Sequence, residues 1–294
     1  MTLPLVVGVD GSDGSLLAID WAVDLATRRG LPLRLVHASL WERYEGSLPT
    51  LTRERSSEQV LAEHIVASAA ERARRIDPGL DVSTATAAAE AVSALLDEAH
   101  GATALITGSR GRGELKGTLL GSVSLAVAAR ADCPVIVVRG DRTALAGSHE
   151  RVLLGAGDPD TCRDAVAFAF REAEARGCEL DVVRTWRCPA RKGTDDAPAD
   201  DPEHQHEKEA AALIEDLVLD ASAAHPDVRL RRTTVEGAAR KVLVDRSAAA
   251  DLVVLGARRR SGRFGFQLGR VSHTLLHHAA CPVAVVPNVA PKAA

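Results

Sequence analysis

Aromatic side chains are scarce in this chain: three Trp, four Phe and one Tyr among 294 residues, 3% in all, and methionine occurs once. Its cores must therefore be packed from Val, Leu, Ile and Ala, as in layered α/β proteins. No apolar run reaches the roughly 20 residues that a membrane-spanning helix needs, which argues against an integral membrane protein. Neither sign of charge prevails, with 36 Lys and Arg against 40 Asp and Glu and a net charge of −4. The basic excess expected where phosphates of a nucleic acid are neutralised is missing. The cysteines (Cys133, Cys162, Cys178, Cys188 and Cys281) are odd in number and form no C-x-x-C pair. That pattern fits unpaired thiols in a reducing cytosol better than a disulfide framework. The first residues run straight into a strand-like segment, without a basic stretch and a cleavable apolar one, so no secretory signal is expected. What is abundant is apolar aliphatic sequence: 46% of residues are hydrophobic, which excludes disorder as the global state.

The chain also repeats itself. Ala131-Asp132-Cys133-Pro134-Val135-Ile136-Val137-Val138 recurs as Ala279-Ala280-Cys281-Pro282-Val283-Ala284-Val285-Val286. Val6-Val7-Gly8-Val9 matches Leu153-Leu154-Gly155-Ala156, and Leu105-Ile106-Thr107-Gly108 matches Val253-Val254-Leu255-Gly256. A period of about 147 residues is too long for a solenoid, so these are two copies of one domain. The expected domains are residues 1–140 and 149–288, joined by a Gly-, Ser- and Thr-bearing linker from Gly140 to His149.

Each copy alternates strands with helices. In copy one, strands are expected near 4–9, 32–38, 80–86, 103–107 and 134–138, in runs without polar alternation that suit burial on both faces. Helices are expected from Ser12 to Arg29, with Leu17, Trp21 and Leu25 on the buried stripe, from about Ser57 to Arg75, from Ala88 to His100, and from Ser122. Copy two repeats the strands near 151–156, 179–185, 228–234, 251–255 and 283–286. This order implies two tandem doubly wound, five-stranded parallel sheets, Rossmann-like or flavodoxin-like, with helices on both faces. Irregular stretches follow the second strand of each copy, Trp41 to Ser56 and Cys188 to His206.

Ligands of such sheets bind at the carboxyl ends of the strands, where the strand order reverses. The first strand there ends in Val9-Asp10-Gly11-Ser12, which supplies a carboxylate. The fourth ends in Gly108-Ser109-Arg110-Gly111-Arg112-Gly113 and continues through Gly117 and Gly121 to a helix start at Ser122. Glycines allow close backbone approach to an anion, and a helix start offers unpaired N–H groups, so phosphate is the expected guest. Arg110 and Arg112 join it on charge grounds, against the alternative that both are solvated. Lys116-Gly117-Thr118 reverses the order a Walker A motif requires.

The spacing G-x2-G-x9-G-[ST], at Gly108, Gly111, Gly121 and Ser122 after a hydrophobic strand and with Asp10 ending strand one, resembles the nucleotide-binding pattern of the universal stress protein family. The ending Asp-Cys-Pro-Val-Ile-Val-Val matches that family's last strand, and the resemblance covers both halves. It implies ATP, with Mg²⁺ as a companion to the triphosphate, at the switch between strands one and four. Asp10 and Ala38 would contact adenine or ribose; Gly108, Gly111, Gly121, Ser122 and Val123 would cradle the phosphates. It further implies pairing of last strands, here within one chain as a pseudo-dimer, with homodimerisation beyond that left open. Copy two departs from the pattern, with Gly157 at the place of Asp10, Arg259 at that of the second glycine and Arg270 at that of the hydroxyl residue. It is read as keeping the fold and losing standard ATP binding, so that one nucleotide binds per chain. Its Arg258–Arg263 loop is either a solvated run or a dock for another anion or a partner.

The chain is thus read as a cytoplasmic, nucleotide-dependent regulator of the stress-response type that binds an adenine nucleotide, with no nucleic acid or membrane as partner. Two alternatives stand beside this: a slow nucleotide hydrolase, with Asp13 or Glu114 as base, and an interaction module whose sites are vestigial. His273, His277 and His278, and the pair His204 and His206, are read as structural or solvated, not as metal ligands.

Overall fold

The structure, a computed structural model, describes residues 2–40, 57–111, 120–188, 202–257 and 268–288, the side chains of 202 and 203 excepted. The chain divides into two compact units, Met1–Arg139 and Gly140–Ala294.

In the first unit the aliphatic runs form β1 (Leu5–Gly8), β2 (Leu33–Ala38), β3 (Val82–Ala87), β4 (Ala104–Gly108) and β5 (Val135–Val138). They alternate with α1 (Asp13–Arg29), α2 (Ser57–Ile76), α3 (Ala91–Ala99) and α4 (Ser122–Arg130). The strands lie in the order β3-β2-β1-β4-β5, every neighbour parallel, with Val7 opposite both Leu35 and Ile106. Helices α1 and α2 pack on one face, α3 and α4 on the other. The chain winds outward from β1 to β3 and then returns to β4, so the loops after β1 and β4 diverge and leave a crevice between them.

Ser12 caps α1 by accepting from the Ser15 N–H at 3.3 Å, and the helix stops at Gly30. Its buried stripe carries Ala18, Trp21, Ala22 and Leu25, whereas Leu17, expected on it, is exposed. Alanines alternate there with the larger Trp21 and Leu25, which fill the space between helix and sheet. The outer strand β3 departs from the expectation of two-faced burial: Ser83, Thr84 and Thr86 are exposed, and Val82 alone is fully buried. An end strand of the unit has only one partner and partial cover, so hydroxyl side chains are tolerated there.

The second unit repeats the plan with β6 (Arg151–Gly155), β7 (Glu179–Trp186), β8 (Arg229–Glu236), β9 (Leu252–Ala257) and β10 (Val283–Pro287). The order is β10-β9-β6-β7-β8, again parallel throughout. Its helices are a short α5 (Arg142–Leu145), α6 (Pro159–Arg176), α7 (Pro202–Ala224), α8 (Ala239–Ser247) and α9 (Arg270–His278).

The linker is more ordered than its composition suggests. Asp141 caps α5 by accepting from the Ala144 N–H at 2.9 Å, and its own N–H donates to the Ala280 carbonyl at 3.2 Å. The His149 N–H donates to Asp251 at 3.0 Å, so this segment is fastened to the second unit. A second departure concerns His204 and His206, expected in an irregular stretch. They lie on α7, because Pro202 stands at the helix start, where its missing N–H costs nothing. The stretches 41–56, 113–118 and 258–263, and most of 188–206 before α7, lie outside the described residues.

The two units hold the same strand–helix contact with opposite charge. In the first, Arg34 of β2 grips Glu98 of α3 with two hydrogen bonds of 2.6 and 2.8 Å. That contact holds the guanidinium pKa above its ordinary value. In the second, the matching positions are Asp181 of β7 and Arg246 of α8, 3.0 Å apart, with the Thr233 hydroxyl also donating to Asp181 at 2.7 Å. None of the five cysteines forms a disulfide. Burial pushes the Cys133 thiol up to about 11, as suits a small apolar filler rather than a nucleophile. No helix among the described residues is long and apolar enough to cross a membrane.

Candidate functional site

The crevice between β1 and β4 is a cavity of about 360 Å³. Its lining brings together all eight residues named as site candidates: Asp10, Ala38, Gly108, Arg110, Gly111, Gly121, Ser122 and Val123. Arg112 lies outside the described residues. The loop after β1 supplies the carboxylate. Asp10 Oδ1 accepts from the Ser12 N–H at 3.0 Å and the Ser12 hydroxyl at 2.6 Å, which fixes its orientation at the mouth of the cleft. The loop after β4 closes beside it: a Cβ at Gly111 would lie 2.5 Å from Asp10 Oδ2. With glycine here the backbone comes this near without displacing the carboxylate.

The base of the loop is held by a second close approach. A Cβ at Gly108 would fall 2.4 Å from the backbone of Gly14, and one at Gly14 would fall 2.3 Å from the Arg110 carbonyl. The first turn of α1 therefore rests directly on the end of β4. Gly108 thus has a packing duty besides any ligand contact, and Gly14 is a partner that sequence reasoning missed. The Ser124 hydroxyl donates to the Gly108 carbonyl at 2.7 Å, and the Gly121 N–H donates to Ser109 at 2.8 Å, joining the two ends of the loop. Helix α4 starts at this point with Gly121 as its cap and no side chain accepting from its first N–H groups. Those N–H groups and the positive end of the helix face the cleft, a setting that favours an anion.

On the other side His37 Nδ1–H donates to the Val9 carbonyl at 2.7 Å, tying the ends of β1 and β2 together beside Ala38. Leu95 of α3 packs against Gly8, and both line the cavity. Among the described residues the arrangement offers one carboxylate, a polar loop end with exposed Arg110 and aliphatic lining from Val9, Val36 and Leu95.

Comparison with known proteins agrees with this architecture. The sequence model of the universal stress protein family matches residues 1–139 and again 149–287. This chain belongs to the universal stress protein family. A universal stress protein of Mycobacterium bovis is 33% identical over 302 residues, covering 96% of each chain. One from Mycolicibacterium smegmatis is 30% identical over 292 residues, again covering 96% of each. Among solved structures, a universal stress protein from Archaeoglobus fulgidus superposes with a TM-score of 0.70 at 18% identity, covering 97% of this chain and 98% of that one. These relatives share the tandem arrangement over nearly their whole length.

The second universal stress domain keeps a cleft at the corresponding place, and it is larger, about 610 Å³. Its walls differ at the positions that matter. Gly157 stands where Asp10 stands, Cys162 where Ser15 stands, Leu255 for Thr107 and Arg270 for Ser122. The Cys162 thiol accepts from the Gly157 N–H at 3.1 Å, and burial raises its pKa. Arg184 replaces His37 and performs the same tie, donating to the Ala156 carbonyl at 3.0 Å, with Asp158 3.8 Å away. Gly256 repeats the close approach of Gly108, since a Cβ there would lie 2.1 Å from the Thr161 carbonyl. The scaffold of the cleft is therefore kept with Gly157 in the place of Asp10, and the neighbouring Asp158 puts a carboxylate in its lining.

Proposed function

We propose that the N-terminal domain binds an adenine nucleotide, ATP in the first instance, and that the chain acts as a nucleotide-dependent regulator in the cytoplasm. The observation that carries this reading is the convergence of Asp10, Ala38 and the glycine loop on one cleft that ends at the start of α4. In this reading Asp10 and Ala38 meet the nucleoside. Gly108, Gly111, Gly121, Ser122 and Val123 surround the phosphates, and Arg110 adds charge at the rim. Asp10 and Ser122 offer the oxygen ligands that Mg²⁺ prefers, so a metal accompanying the triphosphate would be met there.

Binding rather than turnover is favoured because Asp10 is the one carboxylate among the described residues lining the cleft, and it is engaged by Ser12. Asp13, the alternative base, stands exposed in the first turn of α1. The second domain, with Gly157 at the position of Asp10, is proposed not to bind ATP. The last strands β5 and β10 are proposed, on sequence grounds, to support an intrachain pseudo-dimer and further pairing of whole chains.

Titration calorimetry of the full chain with ATP is expected to return one site per chain. Asp10→Ala, which removes a charged acceptor, is expected to weaken binding about tenfold or more. Two equivalent sites would overturn the assignment of the second domain. Turnover of several ATP per second, abolished by Gly121→Ala, would overturn the regulator in favour of a hydrolase.

A further inference from the structure

Three buried hydroxyls line the N-terminal cleft: Ser15, Thr107 and Ser124. Two of them are engaged within the protein. Ser15 donates to the Ser12 carbonyl at 2.9 Å and Ser124 to the Gly108 carbonyl at 2.7 Å. Thr107, on β4 immediately before the glycine loop, is 5% exposed, and its Oγ1 has no hydrogen-bond partner among the described residues. A buried hydroxyl without a partner is unfavourable compared with a methyl group of the same size, so its presence calls for a physical reason.

Packing does not provide one. The matching position of the second domain is Leu255, which has the same place in its strand: Thr107 lies opposite Val137 and Leu255 opposite Val285. Leu255 is 4% exposed and faces Gly155 as the Thr107 methyl faces Gly8. The fold thus accepts an apolar side chain at this position, and the hydroxyl is a feature of the N-terminal cleft alone.

We propose that Thr107 positions the nucleoside part of the ligand in the N-terminal cleft, its hydroxyl making with base or sugar the hydrogen bond that the protein by itself leaves open. The inference rests on the nucleotide reading above and adds a residue to it. The nucleoside is indicated rather than the phosphates by placement. Thr107 borders Gly8 beside the buried Leu95 in the cavity lining, whereas Gly121 and Ser122 mark the helix start at which phosphates would gather. A hydroxyl both donates and accepts, so it can meet either kind of atom on a base edge or a ribose. Its Oγ1 is covered by protein, so engagement entails a turn about χ1 from one staggered position to another.

The test uses the full chain with Thr107→Val and Thr107→Ser, titrated with adenosine, AMP and ATP, alongside urea unfolding without ligand. Thr107→Val is expected to weaken all three ligands by a similar factor of about ten, the effect of losing one hydrogen bond and leaving its partner unpaired. Thr107→Ser should stay within a few-fold of the original. Without ligand, Thr107→Val should be at least as stable as the original, because it removes an unpaired polar group. Equal AMP affinity in Thr107→Val, a loss seen with ATP and not with adenosine, or a clear loss of ligand-free stability would each overturn the inference while leaving nucleotide binding in place. Absence of AMP and ATP binding by the original chain would overturn both.

Discussion

The two domains of this chain keep the same scaffold around their clefts and differ in what lines them. Both rest the first turn of a helix on the end of the fourth strand through a glycine, Gly108 on Gly14 and Gly256 on Thr161. Both tie the ends of their first two strands through a side chain, His37 in one and Arg184 in the other. The carboxylate of Asp10 and the hydroxyl of Thr107, by contrast, have become Gly157 and Leu255. The lesson is that the glycines of the family pattern serve two purposes, and that only one of them concerns a ligand. A glycine kept in the second domain is therefore weak testimony for nucleotide binding there, and the differences that bear on a ligand are Gly157 in place of Asp10 and Leu255 in place of Thr107.

The largest effect that would break this comparison comes from the shared glycines. Gly108→Ala and Gly256→Ala each place a methyl group against backbone that cannot turn aside. Each is expected to destabilise its own domain by about 3 kcal/mol, the upper part of the range for overpacking. Only Gly108→Ala should also abolish ATP binding. Urea unfolding with calorimetry checks both, and loss of ATP binding in Gly256→Ala would show that the second cleft contributes to the site. Next comes the ion pair of opposite sign. Arg34→Asp sets two carboxylates against each other and is expected to cost about 2 kcal/mol, much of it restored by adding Glu98→Arg. Failure of the double variant to recover would show that the second domain's arrangement depends on Thr233 rather than on the charges.

The smallest effect is a pH dependence. Burial raises the Cys133 thiol to about 11, above its unfolded value, so the protonated form belongs to the folded state. Its contribution is complete below about pH 9 and fades as pH rises through 11; by pH 10 the loss is about 1 kcal/mol. Cys133→Ala should flatten that alkaline decline in the first domain, followed by denaturant midpoints between about pH 8 and 10.5. An unchanged slope would assign the decline to other groups.

The inner strands were legible because burial on both faces leaves a plain signature, as in Leu5–Gly8 and Ala104–Gly108. The crevice followed from the strand order, and its rim from glycine spacing. Other features were hidden for definite reasons. Gly14 acts through a strand end far along the chain, so nothing nearby marks it. Thr107 sits inside an apolar run, where a missing hydrogen-bond partner leaves no trace in the neighbouring residues. The linker has the Gly and Ser content of a flexible segment, yet Asp141 is held by Ala280, a contact that composition does not record. Pro202 looks like an interruption until it is seen as the first residue of a helix.

The reversed charges of Arg34–Glu98 and Asp181–Arg246 have a consequence for how such a chain reaches its native form. Two copies of one fold on a single polypeptide can exchange equivalent pieces while folding, a familiar route to misassembly in repeat proteins. Were β2 to dock under α8, Arg34 would meet Arg246; were β7 to dock under α3, Asp181 would meet Glu98. Each hybrid brings like charges together in a half-buried seam, while each correct pairing brings opposite ones. The inverted pair would thus set an exchanged strand at a disadvantage against the helix of the wrong domain.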